Sequence, residues 1–413
     1  MMTIPIPAMP PPVSRTVAVI GAGAAGLSAA LELRREGHNV VVYERETQLG
    51  GTWVYTPDTE SDPIGLKPTR EIVHSSLYAS LRTNLPREVM GFRAYPFLST
   101  GKSGRDPRRY PGHGEVFEYL KDFTAEFRIS ELVRFGIEVL HVGLMEDKKK
   151  WSVRSRMRNG GEGDDEIYDA VVICNGHYTE PRIAEIPGID EWPGKQIHSH
   201  NYRVPEPFRD QVVVLIGSAN SAADISRDIA KVAKQVHIAS RSVQIELLGK
   251  LPGHDNIWLH PMIDGVRKDG TLAFEDGNEV IADVILHCTG SVVPFPLIEF
   301  QSKWIAGVLS GRISLPSYEE MMVDIEAFYS SMEASAIPKR YTHNMADYQF
   351  EYDDWLGGES GCPPTEVWRK QMYIEASRSK RILPETYRDQ WEDEHLIAIA
   401  HQDFEQHITK ASV

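Results

Sequence analysis

At 413 residues, 41% of them hydrophobic and 25% charged, the chain is long enough for two or three domains with real cores. A formal net charge of −15 and a pI near 5.5 argue against nucleic acid and against an anionic membrane surface as partners. No apolar run reaches the length of a membrane span, and the three cysteines, Cys174, Cys288 and Cys362, form no C-x-x-C pair. This excludes a dithiol redox centre and a structural zinc site, and suits a reducing, cytoplasmic setting.

In chain order, residues 1–14 hold several prolines and neither a basic n-region nor an apolar h-region, so they read as a disordered lead-in. The first patterned segment is Thr16-Val-Ala-Val-Ile-Gly21-Ala-Gly23-Ala24-Ala25-Gly26. A β-branched run predicts a strand, and an Ala/Leu-rich stretch over 24–35 predicts a helix that ends at Gly37. Between them Gly21 permits the tight turn, Gly23 lets the backbone approach a pyrophosphate, and Gly26 lets the helix pack closely on the strand. A second strand, Asn39-Val-Val-Val-Tyr43, ends at Glu44, eighteen residues past Gly26 and near where an acid binds ribose hydroxyls. An acid there favours an unphosphorylated ribose, as in FAD or NAD.

Segments near Trp151 and from 166 to Cys174 predict a β-meander, with the polar insert 159–165 as its loop. A proline-punctuated linker follows Pro181. Next comes a second strand–turn–helix, Val212-Val-Val-Leu-Ile-Gly217-Ser218-Ala219-Asn220-Ser221-Ala222. Alanines stand where glycines are expected. A helix is predicted over 222–234, and the strand Gln235-Val-His-Ile-Ala239 ends in Ser240-Arg241 with no acid. An arginine there suits a 2′-phosphate and hence NADPH; a solvated strand end is the alternative. Cys174 and Cys288 end apolar strands and read as buried packing residues. From Ser291 the chain becomes helical, acidic and rich in Trp and Tyr.

Two dinucleotide turns in one chain predict an enzyme that passes electrons from a nicotinamide to a flavin. The fold class expected is α/β: two Rossmann-like dinucleotide-binding domains, for FAD and NADPH, with a helical C-terminal segment. The FAD domain with its linker is placed at 15–207, the NADPH domain at 208–290, and a segment completing the FAD domain at 291–413.

Between the turns, Trp192-Pro-Gly194-Lys-Gln-Ile-His198-Ser-His-Asn-Tyr202 resembles the identifying motif of flavin-containing monooxygenases, with Trp for the first Phe. By spacing alone His198 reads as structural. Gly50-Gly51-Thr-Trp53 resembles the family's G-G-x-W, Thr83-Asn84 its T-N segment, and Cys288-Thr289-Gly290 its threonine–glycine turn. Segments around Val73, Asn175, His198 and Leu251 look like the plant glucosinolate S-oxygenase-like branch. The resemblance extends to Phe404.

It implies that NADPH reduces FAD, that O₂ adds at flavin C4a to give a hydroperoxide, and that a sulfide or amine takes its distal oxygen. Gly51 and Trp53 would pack on the flavin; Thr289 and Gly290 would close the NADPH domain. Asn84 is the expected catalytic residue, since a neutral amide can hydrogen-bond the reactive oxygen without lending it a proton. Without the resemblance Asn84 reads as a turn residue before Pro86. The expected substrates are small thioethers, methylthioalkyl glucosinolates or S-alkyl cysteines, together with O₂; a homodimer is compatible, and no metal is expected. After Gly290 the chain departs from the family: a tyrosine and a few dozen residues, including a strand that returns to the flavin domain, are missing. Ser291-Val-Val-Pro-Phe-Pro296 follows directly, and its prolines disfavour a central strand. N-oxygenation of an amine, or a catalytically inactive deletion form, are the alternative readings.

Overall fold

The computed structural model describes residues 12–411, apart from 159, 162, 177–178, 242–244, 289–294, 343–344 and 346–347. The expected lead-in therefore lies almost wholly outside the described residues, as do Thr289, Gly290 and the stretch 291–294.

Two parallel sheets carry the molecule. The first runs in the order Val133–Phe135, Asn39–Glu44, Thr16–Ile20, Ala170–Ile173. The second runs Gly249–Lys250, Ile257–His260, Gln235–Ala239, Val212–Ile216, Val284–His287, Lys195–His198, parallel except at its first strand. Both central strands, Val-Ala-Val in one and Val-Val-Leu in the other, are fully buried, as continuous apolar runs in parallel sheets must be. The mixed α/β class with two dinucleotide-type sheets is the one the strand–helix alternation predicts.

The two halves repeat one construction. In the first, Asp169 accepts the Thr16 N–H at 2.8 Å, and Cys174 donates its N–H to Ile20 O at 2.9 Å. In the second, Asp283 accepts the Val212 N–H at 2.8 Å and Cys288 donates to Ile216 O at 2.9 Å. Each aspartate fixes the start of the glycine-turn strand against its neighbour, and each cysteine fixes its end.

Several local expectations shift. The single strand expected over 166–174 is two: Asp164–Tyr168 pairs antiparallel with Trp151–Met157, and Ala170–Ile173 joins the first parallel sheet. Asp169 makes the break, because its side chain caps the neighbouring strand. Asp164 and Asp165, assigned to the loop, start that strand, and Ile137–Leu144 supplies a third strand of the meander. The second helix spans Asn220–Ala230, starting and ending earlier than its apolar spacing suggests. Its last turn is capped by backbone bonds from residues 231–233 instead of continuing. The linker strand Lys195–His198 pairs with Val284–His287 and so forms an edge of the second sheet.

Among the described residues, five long helices form the C-terminal segment: Phe295–Ser310, Tyr318–Ala334, Gln349–Ser360, Val367–Ile382 and Glu394–Ala411. The first packs on Ala24–Arg35, placing Phe295 and Ala306 in the core that holds Leu27 and Leu31. The chain thus returns to its first helix, as its apolar content requires.

Candidate active site at the two glycine turns

The first turn leaves the strand Thr16–Ile20 through Gly21, whose φ is +105°. A Cβ on Gly21 would lie 2.5 Å from Cys174 O, and one on Gly26 would lie 1.8 Å from Gly21 O. Both glycines are therefore demanded by the protein itself. Gly23 differs: its Cβ would come no nearer than 3.6 Å, to Gly51 Cα. Gly23 also starts the helix Ala24–Arg35 with no side-chain cap. The N–H groups of Ala24, Ala25 and Gly26 are left for an anion at a positive helix end.

Glu44 ends its strand as expected and is buried. One carboxylate oxygen accepts the Ala22 N–H at 2.7 Å, and the other the Glu46 N–H at 2.8 Å. It braces the glycine turn and still has lone pairs for a ribose hydroxyl. Gly50 donates to Ala22 O at 2.9 Å, which brings Gly51 and Trp53 against the turn. Trp53 meets Phe295 edge-on, at 6.1 Å between ring centroids.

The second turn has the same geometry. Gly217 has φ +109°, and its Cβ would lie 2.4 Å from Cys288 O. Ala219 stands at φ −74° and ψ −171°, close to Gly23 at −75° and −177°, an extended conformation that alanine adopts freely. The helix beginning at Asn220 again lacks a side-chain cap, so the amides of Asn220, Ser221 and Ala222 are available. Ser218 and Ser240 share a hydrogen bond of 2.7 Å that ties the turn to the next strand end. Arg241 follows, exposed and paired with no described residue.

Asn84 sits half-buried in the turn before the short helix Arg87–Met90. The turn is built by its neighbour: Thr83 donates its N–H to Pro111 O at 2.8 Å and its hydroxyl to Leu85 O at 2.9 Å. The Asn84 amide makes no hydrogen bond with a described residue. The helix His113–Glu126 anchors both this segment and the Gly50 loop, through His113 N–H to Leu81 O at 3.1 Å and through the Phe117 ring beside Gly50.

The segment around His198 is a lock between regions. His198 is buried, and its Nδ1 accepts the His200 N–H at 3.0 Å. Burial, with further contributions from His200 and His287, pushes its pKa down to about 4, so it is neutral and structural. Tyr202 donates its hydroxyl to Asp228 on the second helix at 2.8 Å, and Ser80 donates to the same oxygen at 2.6 Å. Burial alone would raise the Asp228 carboxyl; donors from Ser80, Lys231 and Tyr202 outweigh it and hold the group below its usual range.

Sequence reasoning missed Arg203. Its buried guanidinium donates to five carbonyls, those of Thr56, Asp58, Ser75, His200 and Tyr202, and so folds the long 54–77 loop onto the linker. It also missed Asp224, Lys380 and Arg388, which join the second helix to the C-terminal segment. Arg203 follows the family motif directly, which could have marked it; the other three have no local pattern.

Burial lifts the Cys174 and Cys288 thiols to about 12, so both are inert packing groups. Among the described residues no group of histidine, cysteine or acidic side chains could hold a metal, and no helix is long and apolar enough to cross a membrane.

This double cradle is that of an enzyme holding two dinucleotides. A flavin-binding monooxygenase-like family model matches residues 14–249, and the chain belongs to that family: it is a flavin-dependent monooxygenase. Flavin-containing monooxygenase FMO GS-OX-like 4 of Arabidopsis thaliana is 53% identical over 446 positions, covering 96% of this chain and 99% of that protein. That alignment is longer than the chain, so the relative carries residues with no counterpart here. The structure of S-allyl-L-cysteine S-oxygenase from Allium sativum is 53% identical with a TM-score of 0.92, covering 96% of this chain and 99% of that one. Tmm from Pelagibacter sp. strain HTCC7211, 24% identical with a TM-score of 0.75, shares the fold.

Proposed function

We propose that the chain S-oxygenates small thioethers, using FAD, NADPH and O₂. The observation that carries this reading is the 53% identity, across nearly the whole of both chains, to an S-oxygenase of S-allyl-L-cysteine. In this reading 15–207 binds FAD, 208–290 binds NADPH, and 291–413 completes the FAD domain, with Lys195–His198 lent to the second sheet.

The residues fit both groups. Gly23 is bare where the protein does not need it bare, and it immediately precedes the first three helix amides. Those amides hold the FAD pyrophosphate, Glu44 reaches the ribose, and Gly51 with Trp53 borders the flavin. The amides of 220–222 hold the second pyrophosphate, and Arg241 takes the 2′-phosphate. When bound there, flavin and nicotinamide would supply the redox and oxygen-activating chemistry for the substrate sulfur. The protein orients the two cofactors, keeps water out and offers a non-acidic donor at Asn84. Its unused amide supports that role, since the turn does not need it. The free cysteines are consistent with the reducing cytosol.

The test is to incubate the purified chain with NADPH and S-allyl-L-cysteine and to measure sulfoxide by mass spectrometry, with trimethylamine as the competing amine. Sulfoxide formed in step with NADPH consumption supports the reading; N-oxide alone replaces it with amine oxygenation. The shorter chain favours one further reading, a form without catalysis. A folded but colourless protein that binds no added FAD would establish it.

A further inference from the structure

We propose that Arg388 is a positioning residue that ties the Asn84 loop to the helix of the second glycine turn, so that NADP(H) binding and the placement of Asn84 move together. This rests on the reading of Asn84 given above. The Asn84 turn and that helix are far apart in the chain, and a single guanidinium reaches both. Nη1 and Nη2 of Arg388 donate to the two oxygens of Asp224 at 3.1 and 2.6 Å. Its Nε donates to Thr83 O at 2.9 Å, and Nη2 also approaches Arg82 O at 3.4 Å.

Asp224 lies one turn into the helix Asn220–Ala230, whose N-terminal amides form the second cradle. Thr83 is buried and immediately precedes Asn84. A shift of that helix when a pyrophosphate settles on its end is therefore transmitted through two rigid hydrogen-bonded steps to the peptide that carries Asn84.

The surrounding contacts strengthen this assignment. Lys380 donates to the side chain of Asn220, the first residue of the same helix. Glu385 accepts from Arg227 at 2.6 Å and pairs with His254 at 3.1 Å. Asp389 forks onto Arg82 at 2.8 and 3.0 Å, and Tyr78 donates to Asp224 at 3.2 Å. Residues 380–389 thus bridge the second helix and the Arg82–Thr83 peptide, and Arg388 touches both ends. The planar fork is what permits this: a lysine ammonium cannot bind both Asp224 oxygens in-plane while its stem donates to a third acceptor.

The experiment uses the full chain. Hydrogen–deuterium exchange of the peptide 81–90 is followed with and without NADP⁺ in the unaltered protein, Arg388→Lys and Asp224→Asn, each checked for unchanged melting and flavin content. NADP⁺ is expected to slow exchange there in the unaltered protein and to lose that effect in both variants. A retained effect in either correctly folded variant, or no effect in the unaltered protein, overturns the proposal. Sulfoxide formed per NADPH is expected to fall roughly 3- to 30-fold in Arg388→Lys, and to fall no further when Arg388→Lys is added to Asn84→Ala. An additive loss overturns action through Asn84. If Asn84→Ala alone leaves the product ratio unchanged, the reading of Asn84 fails instead, and the exchange result judges the coupling by itself.

Discussion

Gly23 and Gly51 face each other backbone to backbone. A Cβ on Gly51 would stand 3.0 Å from Gly23 Cα, and one on Gly23 would stand 3.6 Å from Gly51 Cα. Two separate loops thus meet without side chains at the N-terminal end of the helix Ala24–Arg35.

The fold thus demands glycine at 21 and 26 but not at 23, which the proposed reading assigns to FAD binding. Gly23→Val is expected to leave the folded protein with near-normal melting but to weaken FAD binding at least about tenfold, a loss of about 1.4 kcal/mol. Gly26→Val, whose Cβ meets Gly21 O at 1.8 Å, is expected to destabilise the fold itself. The ratio of flavin to protein absorbance, with a melting curve for each variant, checks both. Full flavin occupancy in Gly23→Val would remove the first turn from the FAD site.

On the reading that Arg241 meets the 2′-phosphate, it carries the choice of nucleotide. It is exposed at the end of the strand after the second turn and holds no described partner. A guanidinium–phosphate pair contributes about 1.5–3 kcal/mol. Arg241→Ala should therefore lower the preference for NADPH over NADH by roughly ten- to a hundred-fold, mostly through KM. Steady-state oxidation of the two nucleotides measures this, and an unchanged preference refutes the assignment.

Asn84→Ala is expected to keep its flavin and its reduction by NADPH, because the turn is held by Thr83 and not by the Asn84 amide. Loss of one donor at the reacting oxygen typically costs about 10²-fold or more. Sulfoxide yield per NADPH should fall and H₂O₂ release should rise. Stoichiometric sulfoxide in the variant would return Asn84 to the status of a turn residue.

Three buried histidines set an acid limit on stability. Burial pushes His198, His237 and His287 down to about 4 from the usual 6.5. Their folded-state pKa values lie below the unfolded one, so the stability they contribute is complete above pH 6.5 and is lost as pH falls toward 4. The loss approaches roughly 3 kcal/mol for each residue by pH 4. His287 is fully buried; its Nδ1 accepts the Ala184 N–H at 3.3 Å and its Nε2 meets Gln196 Oε1 at 3.3 Å, which suits a neutral ring. Urea unfolding between pH 7 and pH 4.5 should show the decline, and His287→Gln should flatten it. An equal slope in that variant would exclude His287 as a contributor.

The sequence alone determined the parts governed by short-range sterics. Gly21 and Gly26 marked a strand–turn–helix whose helix runs Ala24–Arg35 as its composition predicts, because a positive φ and a crowded helix crossing admit little else. The strand Asn39–Glu44 and its terminal acid followed from β-branched runs and fixed spacing. The tertiary structure decided what lies across the chain. That Ala219 serves where glycine was expected depends on an extended backbone dihedral, which spacing does not reveal. The atoms that force Gly21 and Gly217 to be glycine are the carbonyls of Cys174 and Cys288, about 150 and 70 residues away. Arg203 gathers carbonyls from a distant loop, and Arg388 joins Asp224 to Thr83 across 164 and 305 positions. Such contacts are made by long polar side chains to backbone or to single acids. They impose no period on the sequence, so only the folded chain brings them together.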